Sequence, residues 1–164
     1  MSTLTAPRAL NLIGLDAEKT ADLANGLNQL LANFEIHYQN LRALHWNIRG
    51  QKFFELHLKF EELYTDAQEK VDLVAERILT LGHTPLHTFS DYLHATELPE
   101  ARNIHEGREA VDVVLNGLGI LLRIERELLA QAGEANDEGT VSLMSDFINE
   151  QEKTVWMLSA WLSE

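Results

Sequence analysis

Cysteine is missing from the chain, which excludes disulfides, thiolate catalysis and cysteine-ligated zinc or iron–sulfur sites. Prolines occur only at 7, 85 and 99, so nearly everything from Asp16 to Gly82, and from His105 onward, is free to be helical. No uninterrupted apolar run approaches the roughly 18 residues that span a bilayer. The opening "MSTLTAPRAL" lacks the basic segment, long apolar core and small-residue cleavage site of a signal peptide. A cytoplasmic protein with no membrane partner is expected. Positive charge is scarce too: 13 Lys and Arg face 26 Asp and Glu, for a net charge of −13. Arg8 is the one cation in the first 18 residues, which disfavours DNA binding by a free tail, because such affinity comes from neutralising phosphates. An acidic surface suits solubility and the attraction of metal cations.

The 164 residues, 45% of them hydrophobic, fit one globular domain with a substantial core. The expected division is a short N-terminal tail over 1–15 and a helical domain over 16–164. A first helix is predicted from Asp16 to Asn47, because Leu23, Leu27, Leu30, Phe34, Leu41, His45 and Ile48 recur in steps of three, four and seven. Gly50 breaks it. A second helix, Phe53 to Leu81, carries Leu56, Phe60, Leu63, Ala67, Val71, Val74, Ile78 and Leu81, and ends at Gly82 with Pro85 beyond. "FSDYLHATEL" reads as a short helix opened by Ser90. A third long helix is expected over Glu106 to Ala132, with Gly117 and Gly119 allowing close helix approach, and a last one over Thr140 to Leu162. The connection after the second helix exceeds twenty residues, long enough to cross over. The predicted architecture is all-α: a ferritin-like four-helix bundle with a short extra helix in its long connection between helices 2 and 3.

Four residues of the second helix share one side. At 100° per residue, with His57 as zero, Glu61, Asp72 and Glu76 fall at about 40°, 60° and 100°, while the apolar stripe centres near −80°. The same side carries Phe54, Leu58, Ala75 and Leu79. A helix with two apolar stripes has more to bury than one bundle core, so its second side is expected to meet another subunit. Histidine and carboxylate suit iron, zinc or manganese, and both His57/Glu61 and Asp72/Glu76 have the i, i+4 spacing that brings side chains together. His57 and Asp72, however, lie fifteen residues and about 22 Å apart along the helix. They cannot bind one ion within one chain. Two copies crossing antiparallel on a twofold axis near Asp66 and Ala67 bring His57 opposite Glu76 and Glu61 opposite Asp72, which creates two shared sites. The Glu-x-x-His pair of an intrasubunit di-iron centre is missing; its nearest relative is Asp91-Tyr92-Leu93-His94. Each residue also has an ordinary reading. Acids at i, i+4 are commonly solvated charges, and a lone inward histidine such as His45 is usually a satisfied core residue.

The stretch "HWNIRGQKFFELHLKFEELY", followed by "DLVAE", resembles the signature of the Dps family, the miniferritins of the ferritin-like superfamily. His45, His57, Glu61, Asp72 and Glu76 occupy that pattern's positions: a histidine before Trp-Asn and an Arg-Gly turn, a second histidine twelve residues on, an acid four later, then Asp-x-x-x-Glu. The resemblance implies a hollow homo-dodecamer with a ferroxidase centre at each twofold interface. There His45 and His57 would face Asp72 and Glu76 of the neighbour as catalytic metal ligands. It also implies oxidation of Fe(II), preferably by hydrogen peroxide, and storage of ferric mineral, which protects against oxidative damage; other divalent metals such as zinc are further candidates. Glu61 stands where the family often has aspartate, so direct ligation and ligation through water both stay open. Some relatives bind DNA through lysine-rich tails, a pattern from which this tail departs. The family's acidic threefold pores direct attention to Glu134, Asp137, Glu138 and Asp146, with Asp137 and Glu138 the candidates for admitting iron. Trp46 is read as a packing aromatic, and His37, His83, His87, His94 and His105 receive no role. The rival from another class is a non-catalytic helical assembly or DNA-compacting protein.

Overall fold

The computed structural model describes residues 9–163; positions 1–8 of the expected tail, and residue 164, lie outside the described residues. Among the described residues there are five helices and no strand: α1 (Ala17–Asn47), α2 (Phe53–Thr80), α3 (Phe89–Ala95), α4 (Gly107–Glu134) and α5 (Glu138–Leu162). Residues 9–16 make one isolated bridge, Leu10 with Asp16.

Side-chain caps decide where these helices begin, because the first turn leaves backbone N–H groups without partners. Asp16 accepts from the N–H groups of Glu18 and Lys19, both at 3.0 Å. Glu106 does the same for Arg108 and Glu109 at 3.0 and 2.9 Å. Two starts differ from the sequence expectation. The short helix is opened by Thr88 rather than Ser90: the Thr88 hydroxyl accepts from the Asp91 N–H at 3.2 Å and donates to the Asp91 carboxylate at 2.7 Å. The last helix begins before Thr140, because Asp137 is its cap and accepts the Thr140 N–H at 3.1 Å. Gly50, with φ of +104°, turns the chain from α1 into α2, and Gly82, with φ of +87°, takes it out of α2. Both conformations favour a residue without Cβ.

α1 packs on α2, α4 on α5, and α1 on α4, while the crossover carries α3 back against α1. The apolar stripes meet in two clusters. One holds Leu27, Leu30, Phe34, Val74, Ile78, Leu121, Met144 and Phe147; the other holds Leu41, Leu44, Ile48, Leu56, Phe60, Val111 and Leu158. Each fully buried side chain of this size contributes roughly 1.5–3 kcal/mol. Buried polar residues His37, Lys70, Glu125 and Gln151 also lie inside the bundle. Gly117 permits the close approach expected of it, since a Cβ there would lie 2.7 Å from the His37 ring. Gly119 does not, because it faces open space. No helix among the described residues is long and apolar enough to cross a membrane.

Candidate metal centre

The sharp turn at Gly50 folds the end of α1 back on the start of α2. His45 sits in the last turn of α1, where terminal carbonyls lack intrahelical partners. The His57 imidazole, from α2, supplies one: its Nδ1 lies 2.8 Å from the His45 carbonyl, and His45 Nδ1 lies 2.7 Å from the His57 carbonyl. A carbonyl only accepts, so both Nδ1 atoms carry the proton. In the neutral rings both Nε2 atoms are then left with a lone pair, the form that ligates metals. The two rings stack, with centroids 3.8 Å apart and planes inclined by 16°. His45 is buried, His57 half-buried and Glu61 exposed. One ligand atom from each of the three comes within 4.8 Å of the others. Two imidazole nitrogens and a carboxylate form a donor set that fits iron or zinc.

Asp72 and Glu76 are not part of this cluster. They stand exposed further along α2, together with Leu58, Leu73 and Leu79, all exposed as well. Phe54 is 79% and Trp46 57% accessible, so exposed apolar side chains stand close to both histidines along the chain. The Arg42 guanidinium lies over the Trp46 ring at 4.7 Å, a cation–π contact. His105, given no role from sequence, places Nδ1 3.0 Å from the Asn47 carbonyl and so serves a second terminal carbonyl of α1.

A profile described as "Ferritin-like domain" matches residues 24–164. The DNA protection during starvation protein of Porphyromonas gingivalis is 43% identical over 157 residues, 96% of this chain and 99% of that protein. The chain belongs to the ferritin-like Dps family. A crystal structure of a Dps protein from Vibrio cholerae O1, described as a member of a broad superfamily of ferritin-like diiron-carboxylate proteins, superposes with a TM-score of 0.93 at 54% identity and covers 96% of this chain and 99% of that one. That of a Dps protein from Bacillus brevis gives 0.86 at 36%, covering 88% and 97%.

This Dps-family chain treats the acids near the α4–α5 turn unequally. Asp137 is buried, pairs with Arg77 at 2.5 Å and accepts the Thr140 hydroxyl at 2.5 Å, so both its oxygens serve the fold. Glu134, Glu138 and Asp146 are exposed. Sequence reading also passed over the charges inside the bundle. Lys70 donates to Asp66 and Glu150, both at 2.6 Å. Glu125 accepts from the Gln151 amide at 2.6 Å, and burial pushes its carboxyl up to about 7. Burial likewise drives His37 down to about 4, so its imidazole is neutral. A polar residue at an inward helical position was the available signal for all three.

Proposed function

We propose that this protein is a ferroxidase and iron-storage cage, with Fe(II) as its substrate. The observation that carries the reading is the preformed cluster of His45, His57 and Glu61, two Nδ1–H imidazoles and a carboxylate within 4.8 Å, with exposed apolar side chains close by along the chain. One chain supplies only half of a site. Asp72 and Glu76 complete it from a twofold-related copy, because they lie about 22 and 28 Å from His57 along the same helix and meet the histidines only in an antiparallel pairing. Glu61 supplies a further oxygen, directly or through water.

The chemistry follows from holding two substrate ions together. Each Fe(II) gives one electron to hydrogen peroxide, the O–O bond breaks, and two Fe(III) and two hydroxide ions result. Neither electron is delivered alone, so no hydroxyl radical leaves the site. The enclosing assembly in this reading is a dodecamer that stores the ferric product as mineral. Glu138 joins the acids that admit iron, and the setting is the cytoplasm under oxidative stress. Zinc fits the same donors and competes for them. DNA is protected chemically, by removal of Fe(II) and peroxide; the net charge of −13 argues against holding the duplex itself.

The direct test adds Fe(II) without oxygen, then peroxide, and follows ferric absorbance in the wild type and in assembled His45→Ala/His57→Ala. The double variant is expected to lose the rapid phase; equal rates would end the assignment.

A further inference from the structure

The two imidazoles belong to a longer row of rings. Phe53 lies nearly parallel to His57, with centroids 5.0 Å apart and planes inclined by 20°. His57 stacks on His45, and Tyr64 meets His45 edge-on at 5.3 Å and 87°. Phe53 and Tyr64, both half-buried on α2, thus flank the imidazole pair at His57 and at His45 respectively. Tyr64 is itself met edge-on by Tyr38 of α1 at 6.1 Å, which ties the row to the bundle.

The hydrogen bonds alone leave a problem. One bond from Nδ1 sets the orientation of each Cβ-tethered ring, but a single hydrogen bond is a weak restraint against rotation about χ2. A free neutral histidine side chain, moreover, prefers its proton on Nε2, the nitrogen a metal needs bare. Ring contacts supply a second restraint, since packed rings resist the χ2 rotation that would break a lone hydrogen bond. Resting on the reading of His45 and His57 as metal ligands, we infer that Phe53 and Tyr64 are positioning residues: they clamp the imidazole pair so that both Nδ1–H groups stay on their carbonyls and both Nε2 lone pairs stay available. Half of the metal centre is then assembled within each chain before any metal arrives. The Tyr64 ring does the clamping, and its hydroxyl is not required.

The test uses assembled full-length protein as wild type, Tyr64→Leu, Tyr64→Phe and, from the other side of the pair, Phe53→Leu. The solid-state ¹⁵N spectrum of metal-free, histidine-labelled protein reports tautomers, and subtraction of the His45→Ala/His57→Ala spectrum isolates the pair. Co(II) titration reports affinity without any turnover. Tyr64→Leu and Phe53→Leu are expected to turn the Nδ1–H signals into a tautomer mixture and to weaken Co(II) binding about tenfold, as loss of a group that orients a ligand does. Tyr64→Phe is expected to keep both wild-type properties. Unchanged tautomers and affinity in the leucine variants overturn the proposal, and so does a Tyr64→Phe variant that behaves like Tyr64→Leu. A wild type that fails to bind Co(II) defeats the metal-centre reading instead, while the tautomer arm still decides the clamp.

Discussion

His57 caps the end of α1 by donating from Nδ1 to the His45 carbonyl at 2.8 Å, and His45 returns the bond to the His57 carbonyl at 2.7 Å. Each imidazole therefore joins two helices as well as offering a nitrogen outward. Removing either ring leaves a carbonyl without its partner and ends the stack. His45→Ala and His57→Ala are each expected to lower the stability of metal-free protein by about 1–3 kcal/mol, read from guanidinium unfolding at fixed protein concentration. Unfolding curves that coincide with the wild type would show that the bonds add nothing to the fold.

A shared site makes a quantitative demand on mixed assemblies. A chain carrying His45→Ala/His57→Ala and a chain carrying Asp72→Ala/Glu76→Ala are each expected to be inactive. Co-assembled in equal amounts, half of their twofold pairs are mixed, and one site of every mixed pair is intact. About a quarter of the wild-type peroxide-driven rate is expected to return. A mixture as inactive as its parents would refute sharing across the twofold axis.

The exposed apolar face of α2 predicts what disrupts that pairing. Leu58 is 63% exposed, so Leu58→Asp costs the single chain little but places a charge in the expected interface. Native mass measurement is expected to show smaller species with helical content retained. An unaltered assembly would move the interface elsewhere.

Asp137 and Glu138 are neighbours with opposite expectations. Arg77→Met strands the buried Asp137 carboxylate, 1% exposed, and is expected to cost roughly 3–5 kcal/mol, the usual penalty for breaking a buried pair. Glu138→Ala removes an exposed charge; its stability change is expected to stay within about 0.5 kcal/mol, while iron uptake by the assembled cage slows. Uptake at the wild-type rate would take Glu138 out of the iron path.

Glu125 couples stability to pH. Its folded carboxyl sits at about 7, against 4.5 for the ordinary group, so between those values the folded chain holds a proton that the unfolded chain has released. Stability from this group is full below pH 4.5, falls as pH rises toward 7, and levels off above. Glu125→Gln removes that dependence. Its advantage over the wild type is expected to grow by about 3 kcal/mol across the window, at 1.36 kcal/mol per pH unit. Parallel stability curves for the two proteins would contradict the displaced carboxyl.

Much of the architecture is legible in the residues themselves. Leu23, Leu27, Leu30 and Phe34 mark the buried side of α1 because helical period and burial are both local consequences of composition. Phe54, Leu58 and Leu79 declare a second apolar side of α2 in the same way. Spacing also excludes a single-chain site for all four ligands, since fifteen helical residues cover about 22 Å whatever the tertiary structure. What periodicity leaves open is how each side chain is held. It assigns His45 to an inward face but not its proton to Nδ1, which the His57 carbonyl, twelve residues away, decides. Asp137 reads as one acid in an acidic loop; only folding brings Arg77 of α2 against it and turns it into a buried cap. Glu125 reads as an ordinary helical glutamate until α5 closes over it. Helix faces follow from neighbours along the chain, whereas tautomers, buried pairs and displaced acids depend on groups that the packing of separate helices brings into contact.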